Sequence, residues 1–375
     1  MTEAPSNDLA ETARPAPGVS VADDRPVALS WQATGRFLLL VGGIFLLEFA
    51  LLTGAAVVVN PYSQFPTDTF EPLVPNQFRA KVELYEALDE PAQTVVFGSS
   101  RGQKVLPTVL EENGFGRSFN FAVGGAEIVD ERAIYDYIVA EHGAPENIVI
   151  ALDMYQLRRG ISPSLILQGV PQLAAQTEAQ VDAFDYAEMA AYQALRWQHL
   201  EDLGTVFWFT ATGYPEGKIK FLEDGSPRLL QFRHEAGEEL GGLSEDVILA
   251  SFAHHRPSYL GFEQVSASEA ARLDAWIGDA IADGVNVHVF LTPIYPEFLE
   301  WAKSDTRLGA LHPQIRGALE GACRDGLHVY DFVDVTSFDG DPDDFNDAVH
   351  GGGGNLQRIV EELASGERDL CAAST

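Results

Sequence analysis

Residues 93–101 read Gln-Thr-Val-Val-Phe-Gly-Ser-Ser-Arg. A β-branched and aromatic run of this length, stopped by a glycine, predicts a strand buried on both faces. Similar runs return at 118–122, 147–152, 285–291 and 327–332. Helical spacing lies between them. In 127–141 it is carried by Ile128, Ile134, Tyr135 and Ile138, and in 268–282 by Ala271, Leu273, Ile277 and Ile281. Further helices are predicted near 107–112, 313–323 and 356–363. Strands alternating with helices imply an α/β fold, a parallel sheet covered by helices on both faces.

The rhythm breaks over 155–262, which has helical pieces such as 180–200 among Gly- and Pro-punctuated loops. This reads as a large insertion after the third strand, a cap or side lobe of the α/β domain at 93–365. Upstream, 61–92 reads as a stalk with one short helix, and 366–375 as a flexible tail. Residues 1–35 are rich in Ala, Pro, Ser, Thr and acids, and read as a disordered cytoplasmic tail. Between tail and stalk, 36–60 reads as a transmembrane helix, because 37–59 carries a single charge, Glu48, over a length that crosses a bilayer. That length exceeds a signal-peptide core. Arg14, Arg25 and Arg36 precede the span, and the first bases after it are Arg79 and Lys81. The positive-inside bias therefore places the N-terminus in the cytoplasm and 61–375 outside. Glu48 near mid-membrane reads either as a protonated, tolerated residue or as a contact with a membrane partner.

The 375 residues carry 24 basic and 56 acidic side chains, a net of −32. This excludes a nucleic-acid binder that works by attraction to phosphate, and argues against electrostatic docking on anionic lipid. Only five of the bases are Lys. An acid-rich, Lys-poor surface suits salty surroundings, or a lineage whose proteins are acidic throughout. Two cysteines are too few for a disulfide scaffold or a cysteine-rich zinc module. Cys323 and Cys371 pair, or remain apart if the C-terminus is loose.

In an open α/β sheet the ligand sits beyond the carboxyl ends of the strands. The first strand ends in Gly98-Ser99-Ser100-Arg101. A small residue before a serine at such a turn exposes the hydroxyl and leaves N–H groups free nearby, as an acyl-transfer nucleophile requires. Near the other end stands Asp347-Ala-Val-His350. An Asp three residues before a His can orient its imidazole while the other ring nitrogen faces a serine.

These blocks resemble the SGNH (GDSL-like) hydrolase superfamily. Val96-Phe-Gly-Ser-Ser100 is similar to its first block, Phe119-Asn-Phe-Ala-Val-Gly-Gly125 to its second, and Asp347-Ala-Val-His350 to its last. With one N-terminal anchor and a Gly-Ser-Ser first block, the chain looks most like membrane-anchored bacterial proteins of cell-envelope and exopolysaccharide acylation. The resemblance implies a flavodoxin-like sheet and a triad of Ser100 nucleophile, His350 base and Asp347 orienting acid. It implies an oxyanion hole from the N–H groups of Ser100 and Gly125 or Gly124, with Arg101 and Asn120 as substrate-binding candidates. No metal or organic cofactor is called for. Asp153 stands where the third block normally has an Asn that adds an oxyanion donor. A carboxylate cannot donate unless protonated, and losing one donor costs about 10²–10³ in rate. The expectation is that Asp153 instead binds Arg101, beside the serine.

The expected function is an extracytoplasmic, membrane-anchored esterase or O-acyltransferase acting on acyl esters, foremost acetyl, of a cell-surface glycan. A multi-pass acyltransferase is its expected partner. The alternative is a non-catalytic glycan-binding or assembly factor that keeps the fold. Other motifs read as structural. The acidic loop 339–344 lacks the sixth-position Gly and twelfth-position Glu of a calcium loop. Adjacent His254 and His255 would point apart, and His288 lies within a strand. Gly351 to Gly354 would bind an anion at a helix start, or give slack to His350. Arg158 and Arg159 would meet an anionic sugar or flank the cap.

Overall fold

The computed structural model describes residues 31–65, 67, 69–159, 164–177, 183–213, 221–227 and 245–372. The chain divides into two compact units, 1–50 and 51–375. Helix α1, Trp31–Val59, runs through the boundary. Its stretch Thr34–Val59 has 26 residues and contains an 18-residue window with a mean hydropathy of 2.2, long and apolar enough to cross a membrane. Residues 31–35, read as part of the tail, are its first turn. Residues 1–30 lie outside the described residues.

The larger unit is built on a five-stranded parallel sheet in the order β2-β1-β3-β4-β5. The strands are β1 Thr94–Gly98, β2 Ser118–Asn120, β3 Asn147–Leu152, β4 Asn286–Leu291 and β5 Leu327–Asp331. In register, Thr94 faces Ser118 on one side and Asn147 on the other. Every residue of β1 is buried, which requires cover on both faces. α3 (Pro107–Glu112), α4 (Ile128–His142), α10 (Ala267–Ala282), α11 (Pro296–Asp305), α12 (Leu308–Gly321) and α13 (Gly353–Ser365) provide that cover. The α/β expectation therefore holds. Winding reverses at β1, so the loops leaving β1 and β3 diverge and open a crevice between them.

The insertion holds α5 (Leu165–Gln168), α6 (Pro171–Ala174), α7 (Ala183–Ala194), α8 (Trp197–Thr212) and α9 (Glu245–Leu260). The single helix read over 180–200 is two helices, separated at Leu195 and Arg196.

Two boundary expectations are corrected. The stretch read as a stalk contains α2, Gln77–Glu86, whose Phe78, Val82 and Tyr85 join the main core. Tyr85 meets Phe119 edge-on at 5.0 Å. Three large apolar side chains on one face are too much surface to leave in water. The expected loose tail is also tied down through residue 371. Cys371 is disulfide-bonded to Cys323, and Leu370 N donates to Val329 O at 2.8 Å. Asp369 accepts from Val329 N at 3.0 Å.

Candidate active site

Gly98 ends β1 at φ +148°, a backbone region that favours glycine. A side chain there would also meet Ala151 Cβ at 3.0 Å. The glycine lets the chain turn sharply and presents Ser99 and Ser100 at the crevice. Ser100 Oγ lies 2.7 Å from His350 Nε2. His350 Nδ1 lies 2.7 Å from Asp347 Oδ2. Asp347 Oδ1 accepts from Val349 N and His350 N at 2.8 and 2.9 Å, so the Asp-to-His turn is fixed by its own backbone. Burial alone would raise the Asp347 pKa. The imidazoles of His255 and His350 outweigh it and hold the carboxylate well below the usual range. The arrangement can take a proton from Ser100 and stabilise the resulting imidazolium.

Ser100 and Gly125 both line a cleft of about 210 Å³. Among the described residues, neither of their N–H groups donates to the protein. Gly125 has φ +75°. Gly124, the alternative donor, is excluded because its N–H is taken by Gln77 Oε1 at 3.2 Å.

Asn120 does not reach the cleft, contrary to expectation. It is fully buried, and its amide donates to Gly102 O and Val105 O at 3.0 and 2.7 Å. Its amide nitrogen binds the turn after Ser100, and its Oδ1 accepts from Ala122 N at 2.9 Å. Lys81 of α2 completes this support. Its ammonium donates to Asn120 O at 2.8 Å and Ala122 O at 2.6 Å.

Arg101 does line the cleft, as one corner of a closed network. Its Nε is 3.2 Å from Asp153 Oδ1. Its Nη1 donates to Thr292 Oγ1 at 3.0 Å and its Nη2 to Tyr259 Oη at 3.2 Å. Asp153 also accepts from Thr292 Oγ1 at 2.7 Å and Ser99 Oγ at 2.5 Å. Burial would lower the Arg101 pKa, but Asp153 and Tyr259 raise it, so the guanidinium stays charged. Asp153 therefore does what its sequence position allowed, and binds Arg101.

Ser99, Thr292, Tyr259 and His255 were not singled out as site residues. Thr292 follows β4, so its place at a strand's carboxyl end was a usable signal. Tyr259 and His255 come from α9, inside the insertion, and no local pattern marks them. His255 turns inward, its Nε2 3.6 Å from Asp347 Oδ2, while His254 is exposed. Ligand atoms of His255, Asp347 and His350 fall within 4.8 Å of one another, close enough for a metal ion. Asp347 Oδ2 already accepts from His350, and His255 stands beside that pair at 3.6 Å.

The other motifs resolve structurally. Asp344 lies at the start of α13, where Oδ2 accepts from Asn355 N at 2.6 Å. A Cβ on Gly352 would meet Asp344 Oδ1 at 1.7 Å. The glycine run thus makes room for the chain's own carboxylate at the helix start. Lys104 Nζ holds Gly351 O at 2.9 Å. His288 packs 4.7 Å from His328, ring on ring, and burial lowers its pKa to about 3. Arg158 lines the cleft paired with Glu127 at 2.5 Å. No family model matches the chain, and no curated protein matches it.

Proposed function

We propose that the chain is a membrane-anchored serine ester hydrolase or O-acyltransferase of the SGNH type, acting outside the cytoplasm on short acyl esters of a surface glycan. One observation carries the reading: Ser100, His350 and Asp347 stand in hydrogen-bonded series at 2.7 Å each, beside the N–H of Gly125. Ser100 meets a His350–Asp347 pair 250 residues further along the chain, in the order that nucleophilic acyl transfer needs.

Ser100 Oγ attacks the ester carbonyl carbon as its proton passes to His350 Nε2. The N–H groups of Ser100 and Gly125 receive the charge that develops on the carbonyl oxygen. On collapse His350 returns the proton to the departing alkoxide, and the sugar hydroxyl leaves. An acyl group remains on Ser100. Water, or a second sugar hydroxyl deprotonated by His350, then takes the acyl group and restores the serine. The small cleft suits a short acyl such as acetyl. Asp153 adds no donor while it is paired with Arg101.

A fluorophosphonate probe tests the reading on the full chain. Labelling of wild type at Ser100, lost in Ser100→Ala, supports it. Equal labelling of the two, or acetate release from p-nitrophenyl acetate that Ser100→Ala does not reduce, overturns it. The non-catalytic alternative draws on Asp153 in place of the Asn donor; wild type that neither labels nor turns over would favour it.

A further inference from the structure

The last turn of α1 is packed against the insertion. Val59 is buried with Leu203 and Val206 of α8, and Ala55, Phe70, Leu73 and Leu200 pack around them. Tyr62, Phe65 and Phe70 fasten the hairpin of α7 and α8 further. The Tyr62 hydroxyl donates to Asp202, and its ring lies 5.7 Å from His199. Phe65 meets Tyr186 at 6.1 Å, and Phe70 meets Phe207 edge-on at 5.2 Å. The inner face of this hairpin is therefore fixed to the segment that begins where the apolar run ends, at Asn60-Pro61.

Elsewhere the hairpin presents large apolar side chains to solvent. Phe184, Tyr192, Leu195 and Trp208 are 60–77 % exposed. Four large apolar side chains on one helical hairpin exceed the single exposed residues that a surface ordinarily carries. Tyr and Trp are the side chains enriched at the headgroup level of a bilayer, with an apolar body and a polar edge.

We infer that the α7–α8 hairpin is a second membrane contact, lying in the outer interface of the bilayer beside the point where α1 emerges. The inference rests on reading α1 as a membrane span. Continuity identifies the occupant: groups packed on Ala55 and Val59 stand at the depth where the span leaves the hydrocarbon. Lipid at that depth reaches the neighbouring apolar face without any partner protein. The hairpin also carries Asp185, Glu188 and Glu201. Attraction is therefore apolar, not electrostatic, and suits zwitterionic lipid. The contact would limit tilting of the domain and hold its cleft at a set distance from the surface.

The two cysteines are joined, so an added cysteine is the single reactive thiol. Trp208→Cys, Leu46→Cys in the span, and Gln357→Cys on exposed α13 are each labelled with an environment-sensitive fluorophore. The full chain is reconstituted in phosphatidylcholine vesicles containing nitroxide lipids. The expected result is several-fold stronger quenching at 208 than at 357, greater with shallow than with deep nitroxides, and unchanged in high salt. Quenching at 208 equal to that at 357, with 46 strongly quenched, overturns the hairpin contact and leaves the span intact. An unquenched 46 overturns the span and the inference together. A blue-shifted probe at 208 that ignores lipid nitroxides marks a protein-covered face, such as a second copy, and also overturns it.

Discussion

Arg101 Nε lies 3.2 Å from Asp153 Oδ1, and the two side chains are only 10 % and 11 % exposed. Each neutralises the other beside the candidate nucleophile. Asp153→Asn would install the Asn of the third block in the superfamily the sequence resembles, yet it strands a buried guanidinium. Removing one partner of a buried pair costs about 3–5 kcal/mol. The expected outcome is a large drop in urea midpoint with no gain in esterase turnover. Asp153→Asn combined with Arg101→Gln should recover much of the stability, because no lone charge remains. A double-mutant cycle by chemical denaturation measures the coupling.

Asp347 serves two imidazoles, one at 2.7 Å and one at 3.6 Å. Asp347→Asn should lower kcat by about 10³–10⁴, because an amide neither stabilises imidazolium nor fixes the tautomer. His255→Phe keeps the ring volume and leaves the Ser100–His350–Asp347 series whole. Its expected loss is below about tenfold in kcat, since removing one peripheral group alters only the field on the carboxylate. Steady-state hydrolysis of p-nitrophenyl acetate by full-length variants separates the two. A loss in His255→Phe as large as in Asp347→Asn would make His255 part of the proton relay.

The pH dependence of stability follows from two buried acids on α4. Burial raises Asp130 from 3.8 to about 7, against the hydrogen bonds it accepts from Ser164 N and Glu127 N. Burial raises Glu131 well above its ordinary value too, and its Oε2 has no partner among the described residues. Folded pKa values above unfolded ones mean that the native state holds protons which the unfolded chain releases. Their stabilisation is complete below about pH 4 and is lost as pH rises through 7. At about 1.4 kcal/mol per pKa unit, Asp130 accounts for a loss of order 4 kcal/mol. Buried His288, held neutral, works in the opposite direction in every variant, so the difference between curves carries the test. Between pH 5 and 8 the urea midpoint of wild type should fall relative to those of Asp130→Asn and Glu131→Gln. Curves that run parallel would contradict the assignment.

The buried strands β1 and β3 were legible because 95–98 and 148–152 run without a polar residue or alternation, as a sheet covered on both faces requires. Ser100, Asp347 and His350 were legible because each sits at a strand end or just before a helix, in a short block. Asn120 misled: a conspicuous polar residue at a strand end is as well used to bind the neighbouring turn as to bind a ligand. His255 and Tyr259 reach the cleft from an insertion whose path depends on tertiary packing. Nothing in their local spacing reports that. The C-terminal tail looked loose because its Gly, Ser and charged residues hide two anchors, Asp369 under β5 and the thiol of Cys371.

Lys81 ties α2, the helix that follows α1, to the loop of the proposed oxyanion donor. It is fully buried, and its ammonium donates to Asn120 O and Ala122 O, the carbonyls just before Val123-Gly124-Gly125. Burial lowers its pKa well below the usual value, against the opposing charge of Asp224, and the face of Phe221 lies 4.8 Å from the ammonium. Lys81→Met keeps the length and removes the donors. Two buried carbonyls then lose a partner, at about 1–3 kcal/mol each. The loop carrying the Gly125 N–H loses its tether, and the oxyanion donor moves. Lys81→Met should therefore lower kcat by about 10–10² while KM changes little, since the N–H acts on charge that develops in the transition state. Fluorophosphonate labelling of Ser100 should slow in parallel, because that reagent also places an oxygen in the hole. A variant that is less stable but keeps wild-type kcat would show that Lys81 holds the fold and not the loop.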